Sequence, residues 1–200
     1  MNLSLKKIAN YMHYIIMIDK NNTAGKTEPI RPSELSKDEF LEKCISFLHG
    51  IGIETRFEKL DGSCFLPGLS IRDGAIIIDT ELLKYPGDIL HEAGHIAVVP
   101  SAERLTLTAS SIEKRERRGA EEMMAIAWSY AACIDLCLDP YVVFHDEGYS
   151  GGGNYIADCF SNKNYFGVPM LQWMGMTADE KRAVELQVKP YPFMLKWMCD

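Results

Sequence analysis

The sequence contains no apolar run near the roughly 18 residues that a bilayer-spanning helix needs, so no integral membrane protein built from helices is expected. It has no basic excess either, with 21 Lys and Arg against 28 Asp and Glu and a formal net charge of -7. A surface without a broad positive face has little to hold nucleic acid phosphates, and nucleic acid is not an expected partner. The six cysteines (Cys44, Cys64, Cys133, Cys137, Cys159 and Cys199) include no CxxC pair and follow no disulfide-framework spacing. They read as free thiols in a reducing cytoplasm. Cys133 and Cys137 fall at helical i, i+4 spacing, which is read as core packing rather than as half of a metal site. Internal repeats and low-complexity tracts are missing too.

What is present is globular. Apolar residues make up 47% and charged residues 24% of 200 residues, enough for one domain with a sizeable core. Lys6 and Lys7 precede the apolar stretch Ile8 to Ile18, in faint imitation of a secretory leader. Asn10 and His13 interrupt that stretch, Asp19-Lys20 follows it, and no small-x-small pattern appears before Asn21. An amphipathic helix is the expected reading. A linker with Asn, Gly and two prolines follows, so residues 1–34 are assigned as helix and linker and residues 35–200 as the domain. Within it, a core of about 37–138 precedes a C-terminal extension, 139–200.

Ser36 and Glu39 form a capping-box pattern, and Phe40, Leu41, Cys44, Ile45, Phe47 and Leu48 then recur at helical spacing up to Gly50. Ile51 to Leu60 alternates as a half-buried strand does, a second extended segment is expected near Cys64 to Leu69, and Ala75 to Asp79 is a short β-branched strand. A helix from about Pro86 to Val99 follows, ended by Pro100. The charge run Glu113 to Arg118 is read as the solvated start of a helix that turns almost wholly apolar from Met123 to Leu138 and must be buried on most sides.

His91-Glu92-Ala93-Gly94-His95 is an HExxH pattern. On a helix, positions i and i+4 project from one face, so both imidazoles can reach one tetrahedral zinc ion. Glu92, one step round, stands beside the metal, where it can take a proton from an attacking water and pass it to a leaving nitrogen. One Zn²⁺ per chain and a peptide or protein substrate follow as expectations. Gly94 costs about 1 kcal/mol against alanine within a helix, a cost explained if another backbone approaches closely there.

A third ligand is required. The metzincin arrangement needs Gly and His where this chain has Val98 and Ser101, which excludes it. The gluzincin arrangement takes a glutamate from a second helix, and Glu121 and Glu122 both stand at the threshold of the buried helix. Glu122 is preferred, because Ala125 and Ser129, three and seven residues on, are small enough to let the two helices pack closely. Met124 and Trp128, at the same spacing from Glu121, are bulky.

In this order of elements, with His91 to His95 after the strand Ile76-Ile77-Ile78 and with Glu122-x-x-Ala125-x-x-Trp128, the chain resembles the small zinc metallopeptidases of the ImmA/IrrE type over residues 37–138. The resemblance implies an α+β, zincin-like core with a small three-stranded sheet, an HExxH helix and a buried Glu-bearing helix. It also implies a role like those of the family in phage-element induction and radiation response. Two further roles are open. The strand Ala75 to Asp79 is placed to pair with an extended substrate. His145, Tyr149 and Tyr155, around the loop Ser150-Gly151-Gly152-Gly153, offer donors toward a developing oxyanion. The alternative to an enzyme is a metal-stabilised regulatory or binding module, against which an intact Glu92 argues.

Overall fold

The computed structural model describes residues 35–62 and 64–200; the helix and linker expected over 1–34 lie outside the described residues. The first described element, α1 (Lys37–Gly50), starts where the capping box predicts. Ser36 Oγ accepts from the Glu39 N–H, and the Glu39 carboxylate accepts from the Ser36 N–H at 2.9 Å. Two otherwise orphaned donors are satisfied, and the helix buries Phe40, Leu41, Cys44 and Leu48.

Three short strands follow: β1 (Thr55–Phe57), β2 (Leu69–Arg72) and β3 (Ala75–Ile78). Their order is β1-β3-β2, with β1 parallel and β2 antiparallel to the central β3. The first strand is shorter than Ile51 to Leu60. The second begins where the sequence places its end, and Gly68 explains the shift. At φ +79 it turns the chain so tightly against the next segment that an added Cβ would lie 2.3 Å from the Leu83 backbone nitrogen. Extended structure starts only beyond it, with Leu69 and Ile71 inward. Asp73 (φ 52) and Gly74 (φ 70) are both left-handed and close a two-residue hairpin whose twist matches that of its strands. In β3 all four residues are buried. Its two edges are taken by β1 and β2, so the expected pairing of Ala75 to Asp79 with a substrate strand is corrected: no free ladder is left there.

The helices α2 (Asp88–Ala97), α3 (Ser101–Arg104), α4 (Ala109–Lys114) and α5 (Arg118–Asp135) come next. The charge run does not open α5 as expected. Glu113 and Lys114 end α4, and Arg115 is extended at φ -63, ψ 136 because its guanidinium bridges Glu103 and Glu121. From Met124 to Cys133 every residue of α5 is buried, as the apolar composition requires. The helix stops at Asp135, which corrects the pairing of Cys133 with Cys137: the first is buried, while the second is exposed and left-handed beyond the helix end.

Short 3-10 turns at Pro140–Val142 and Tyr149–Gly151 lead to α6 (Gly153–Ser161), α7 (Val168–Trp173) and α8 (Glu180–Leu186). The fold is thus α+β, with a three-stranded mixed sheet and eight α-helices among the described residues. None of these helices is long and apolar enough to cross a membrane. After α8 the chain runs back over the core. The Tyr191 hydroxyl donates to the Ala127 carbonyl at 2.8 Å, and the Trp128 indole N–H donates to the Trp197 carbonyl at 2.8 Å. The Trp197 ring stands edge-on to Phe47, and the Cys199 N–H reaches the Ala97 carbonyl at the end of α2. This strap joins α1, α2 and α5.

Candidate metal centre

One turn apart on α2, His91 and His95 bring their Nε2 atoms to 3.2 Å of each other. Glu122, from the second turn of α5, faces both: its Oε1 lies 3.3 Å from His91 Nε2 and its Oε2 3.4 Å from His95 Nε2. The three side chains are 12%, 9% and 17% exposed, so water reaches the cluster without flooding it. His91, Glu92 and His95 offer ligand atoms within 4.8 Å of one another and could hold a metal ion.

The approach of α5 to α2 has a local cause. A Cβ on Gly94 would lie 2.9 Å from the Ala125 carbonyl oxygen and 3.0 Å from its Cα, so a side chain at 94 does not fit without moving backbone. Ser129, also at this seam, turns its hydroxyl back to the Ala125 carbonyl at 2.7 Å and leaves no polar group unsatisfied. Gly94→Ala therefore tests the seam. Alanine gains about 1 kcal/mol of helix propensity. Overpacking against rigid backbone costs about 1–3 kcal/mol, and a net loss is expected as a lower urea midpoint. A variant as stable as the wild type would show that the helices do not touch there.

Glu121 is engaged elsewhere. It is buried, but its Oε2 accepts from Arg115 Nε at 2.7 Å. The small-residue argument thus selects the glutamate that faces the histidines.

Charge is unevenly distributed over the cluster. Burial pulls the His91 pKa down, but the Glu122 carboxylate, helped by Glu92 and Asp88, outweighs it and holds the ring above its ordinary value. Burial takes His95 to about 4 despite Glu122, with His91 and Arg118 pushing the same way. For Glu122 burial is opposed by His91, His95 and Arg118, which hold the carboxyl at about 2. Glu92 is raised to about 7, mainly by burial, with Glu122 and Asp88 adding to it against His91. One side of the site is thus a stable anion and the other a neutral imidazole, a donor set suited to a divalent cation.

Of the three flanking candidates, His145 and Tyr149 come to α2, while Tyr155 sits half-buried on α6. His145 Nε2 lies 3.0 Å from Asp88 Oδ1, its Nδ1 accepts from the Gly148 N–H at 3.1 Å, and its ring stacks on Tyr85 at 3.9 Å. Asp88 is buried, and burial raises its carboxyl above the usual range in spite of His145. Sequence reasoning missed this residue, although its place three before His91 puts it on the same helix face. The Tyr149 ring stands edge-on to His91 at 5.4 Å and 81°. Its phenol pKa is pushed up by burial first, then by the Glu122, Asp88 and Glu92 carboxylates. His91 Nδ1 is buried with no hydrogen-bond partner, so the edge contacts of His95 and Tyr149 orient this ring.

Compared with known proteins, the chain matches no family model, no curated protein and no solved structure.

Proposed function

We propose that the chain is a zinc-dependent metallohydrolase, a peptidase with a zincin-like core of the kind its ImmA/IrrE resemblance implies. The observation that carries this is the spacing of the His91 and His95 nitrogens and the two Glu122 carboxylate oxygens. Zinc in a tetrahedral site has bonds of about 2.0–2.1 Å to nitrogen and oxygen, which sets its ligand atoms about 3.3 Å apart. His91 Nε2 and His95 Nε2 stand 3.2 Å apart, and each lies against its own oxygen of the Glu122 carboxylate, His91 at 3.3 Å from Oε1 and His95 at 3.4 Å from Oε2. His91, His95 and Glu122 would hold the ion, one per chain, leaving a fourth position open as catalytic sites do. Bound there, zinc would polarise a substrate carbonyl and make water acidic enough to attack it near neutral pH.

The remaining work belongs to the chain. Glu92 follows His91 directly, and one of its carboxylate oxygens lies within 4.8 Å of the ligand nitrogens of His91 and His95. It receives the proton that the attacking water gives up and delivers it to the departing amide nitrogen. Burial of the cluster excludes bulk water from both transfers. The substrate class is peptide or protein, since a base beside an electrophilic metal suits acyl transfer to water.

Metal analysis tests the ligand set. Glu122→Ala is expected to lower zinc affinity at least tenfold, because two imidazoles alone hold the ion weakly. Glu121→Ala should leave affinity within twofold and lower thermal stability instead, by freeing one arm of Arg115. A reversed order would reassign the third ligand. Comparing peptide hydrolysis by the zinc-loaded protein with that of Glu92→Gln tests the enzyme reading.

A further inference from the structure

We propose that the Tyr149 hydroxyl donates a hydrogen bond to the substrate carbonyl oxygen as that oxygen gains negative charge. This rests on the hydrolase reading and names the group that would stabilise its transition state.

The geometry separates Tyr149 from its neighbour. Both ring nitrogens of His145 are committed: Gly148 donates to Nδ1, which leaves the proton on Nε2, and that proton goes to Asp88. His145 has nothing left to offer a substrate. The Tyr149 hydroxyl, by contrast, has no hydrogen-bond partner among the described residues, while its ring packs against His91.

The backbone gives a second, independent observation. Tyr149 (φ 54), Ser150 (φ 58) and Gly151 (φ 85) are three successive left-handed residues. That conformation is uncommon for a bulky aromatic, and it persists only where the surroundings over-determine it. Here they do. Upstream of the turn, a Cβ on Gly87 would lie 1.9 Å from the Val142 carbonyl oxygen, which fixes that segment on the start of α2. His145 ties the next residues to Asp88. Downstream, a Cβ on Gly153 would lie 2.2 Å from the His145 carbonyl oxygen. The Phe144 ring meets Tyr149 from within at 5.6 Å. A loop clamped on both sides and strained at its apex holds the Tyr149 ring against His91. Pre-placed donors of this kind act because they need no reorganisation when charge develops.

The step balances without consuming Tyr149. Water oxygen bonds to the carbonyl carbon, the C=O π pair moves to oxygen, and the water proton goes to Glu92. The C–N bond then breaks as that oxygen re-forms its double bond, and nitrogen takes the proton from Glu92. Tyr149 keeps its own proton throughout.

The test reads binding rather than turnover. Cobalt-loaded protein is titrated with inorganic phosphate, a tetrahedral oxyanion, and with azide, an anionic ligand without oxygen, and the visible absorption of cobalt is followed. Tyr149→Phe keeps the ring on His91 and removes only the hydroxyl. It should weaken phosphate binding about tenfold, as loss of one hydrogen bond to a charged acceptor does, with azide and cobalt affinities within twofold. Tyr149→Ala, which also frees the His91 ring, should weaken cobalt binding as well. Equal phosphate affinity in wild type and Tyr149→Phe, a matching loss for azide, or no phosphate binding by wild type overturns the proposal. Failure of the wild type to take up cobalt overturns the metal reading itself, and the proposal with it.

Discussion

His91→Ala and His95→Ala are each expected to emerge from purification with zinc at background, against about one ion per wild-type chain. The reason is geometric. Removing either imidazole leaves one nitrogen and one carboxylate, and two ligands in a partly open site do not hold the ion against a millimolar chelator. The variants should still fold, because the ligand side chains are partly exposed while both helices are anchored by buried apolar residues, Ile89, Leu90 and Ile96 on α2 and the run from Met124 to Cys133 on α5. Circular dichroism beside elemental analysis separates metal loss from unfolding. Zinc retained at one per chain by either folded variant would falsify the site.

Glu92→Gln has the opposite signature. The amide keeps the size and polarity of the side chain but cannot accept a proton, so zinc content and stability should stay near wild type. Turnover of a cleaved peptide should fall by a factor of about 10² to 10⁴, the usual worth of a general base. The loss should appear in kcat more than in KM, since the substrate binds before the proton moves. A peptide library with quenched fluorophores supplies the substrate. If wild type and variant cut it equally, Glu92 is no base, and the metal holds shape rather than doing chemistry.

Where sequence reasoning succeeded, the determinant was local. The capping box at Ser36 and Glu39 is a contact between residues three apart, and the histidine pair is one turn of one helix. The small residues Ala125 and Ser129 favour Glu122 over Glu121 from sequence, and in the structure it is Glu122 that faces the histidines while Glu121 pairs with Arg115. The second strand was misplaced because apolar residues run on both sides of Gly68, and only the crowding against Leu83 shows which side is extended. The break at Arg115 was hidden for a similar reason. A run of mixed charge is compatible with a continuous helix until the ion pairs to Glu103 and Glu121 are seen. Asp88 and His145 stand 57 residues apart, beyond the reach of any spacing rule.

The strap that returns over the core also gives the protein an optical signature. Of its three tryptophans, Trp128 is wholly buried with its indole hydrogen-bonded, Trp197 lies edge-on to it at 5.3 Å, and Trp173 is 85% exposed. Emission from the first two should be blue-shifted, and their coupled rings should give a strong near-ultraviolet dichroism, whereas Trp173 emits as if free in water. Lifting of residues 190–199 from α1 and α5 would then be visible as a red shift and loss of the dichroic band while the helical signal in the far ultraviolet persists. A Trp173→Phe variant, altered only at an exposed site, would leave the two reporting indoles alone in the spectrum and make the undocking of that segment measurable apart from global unfolding.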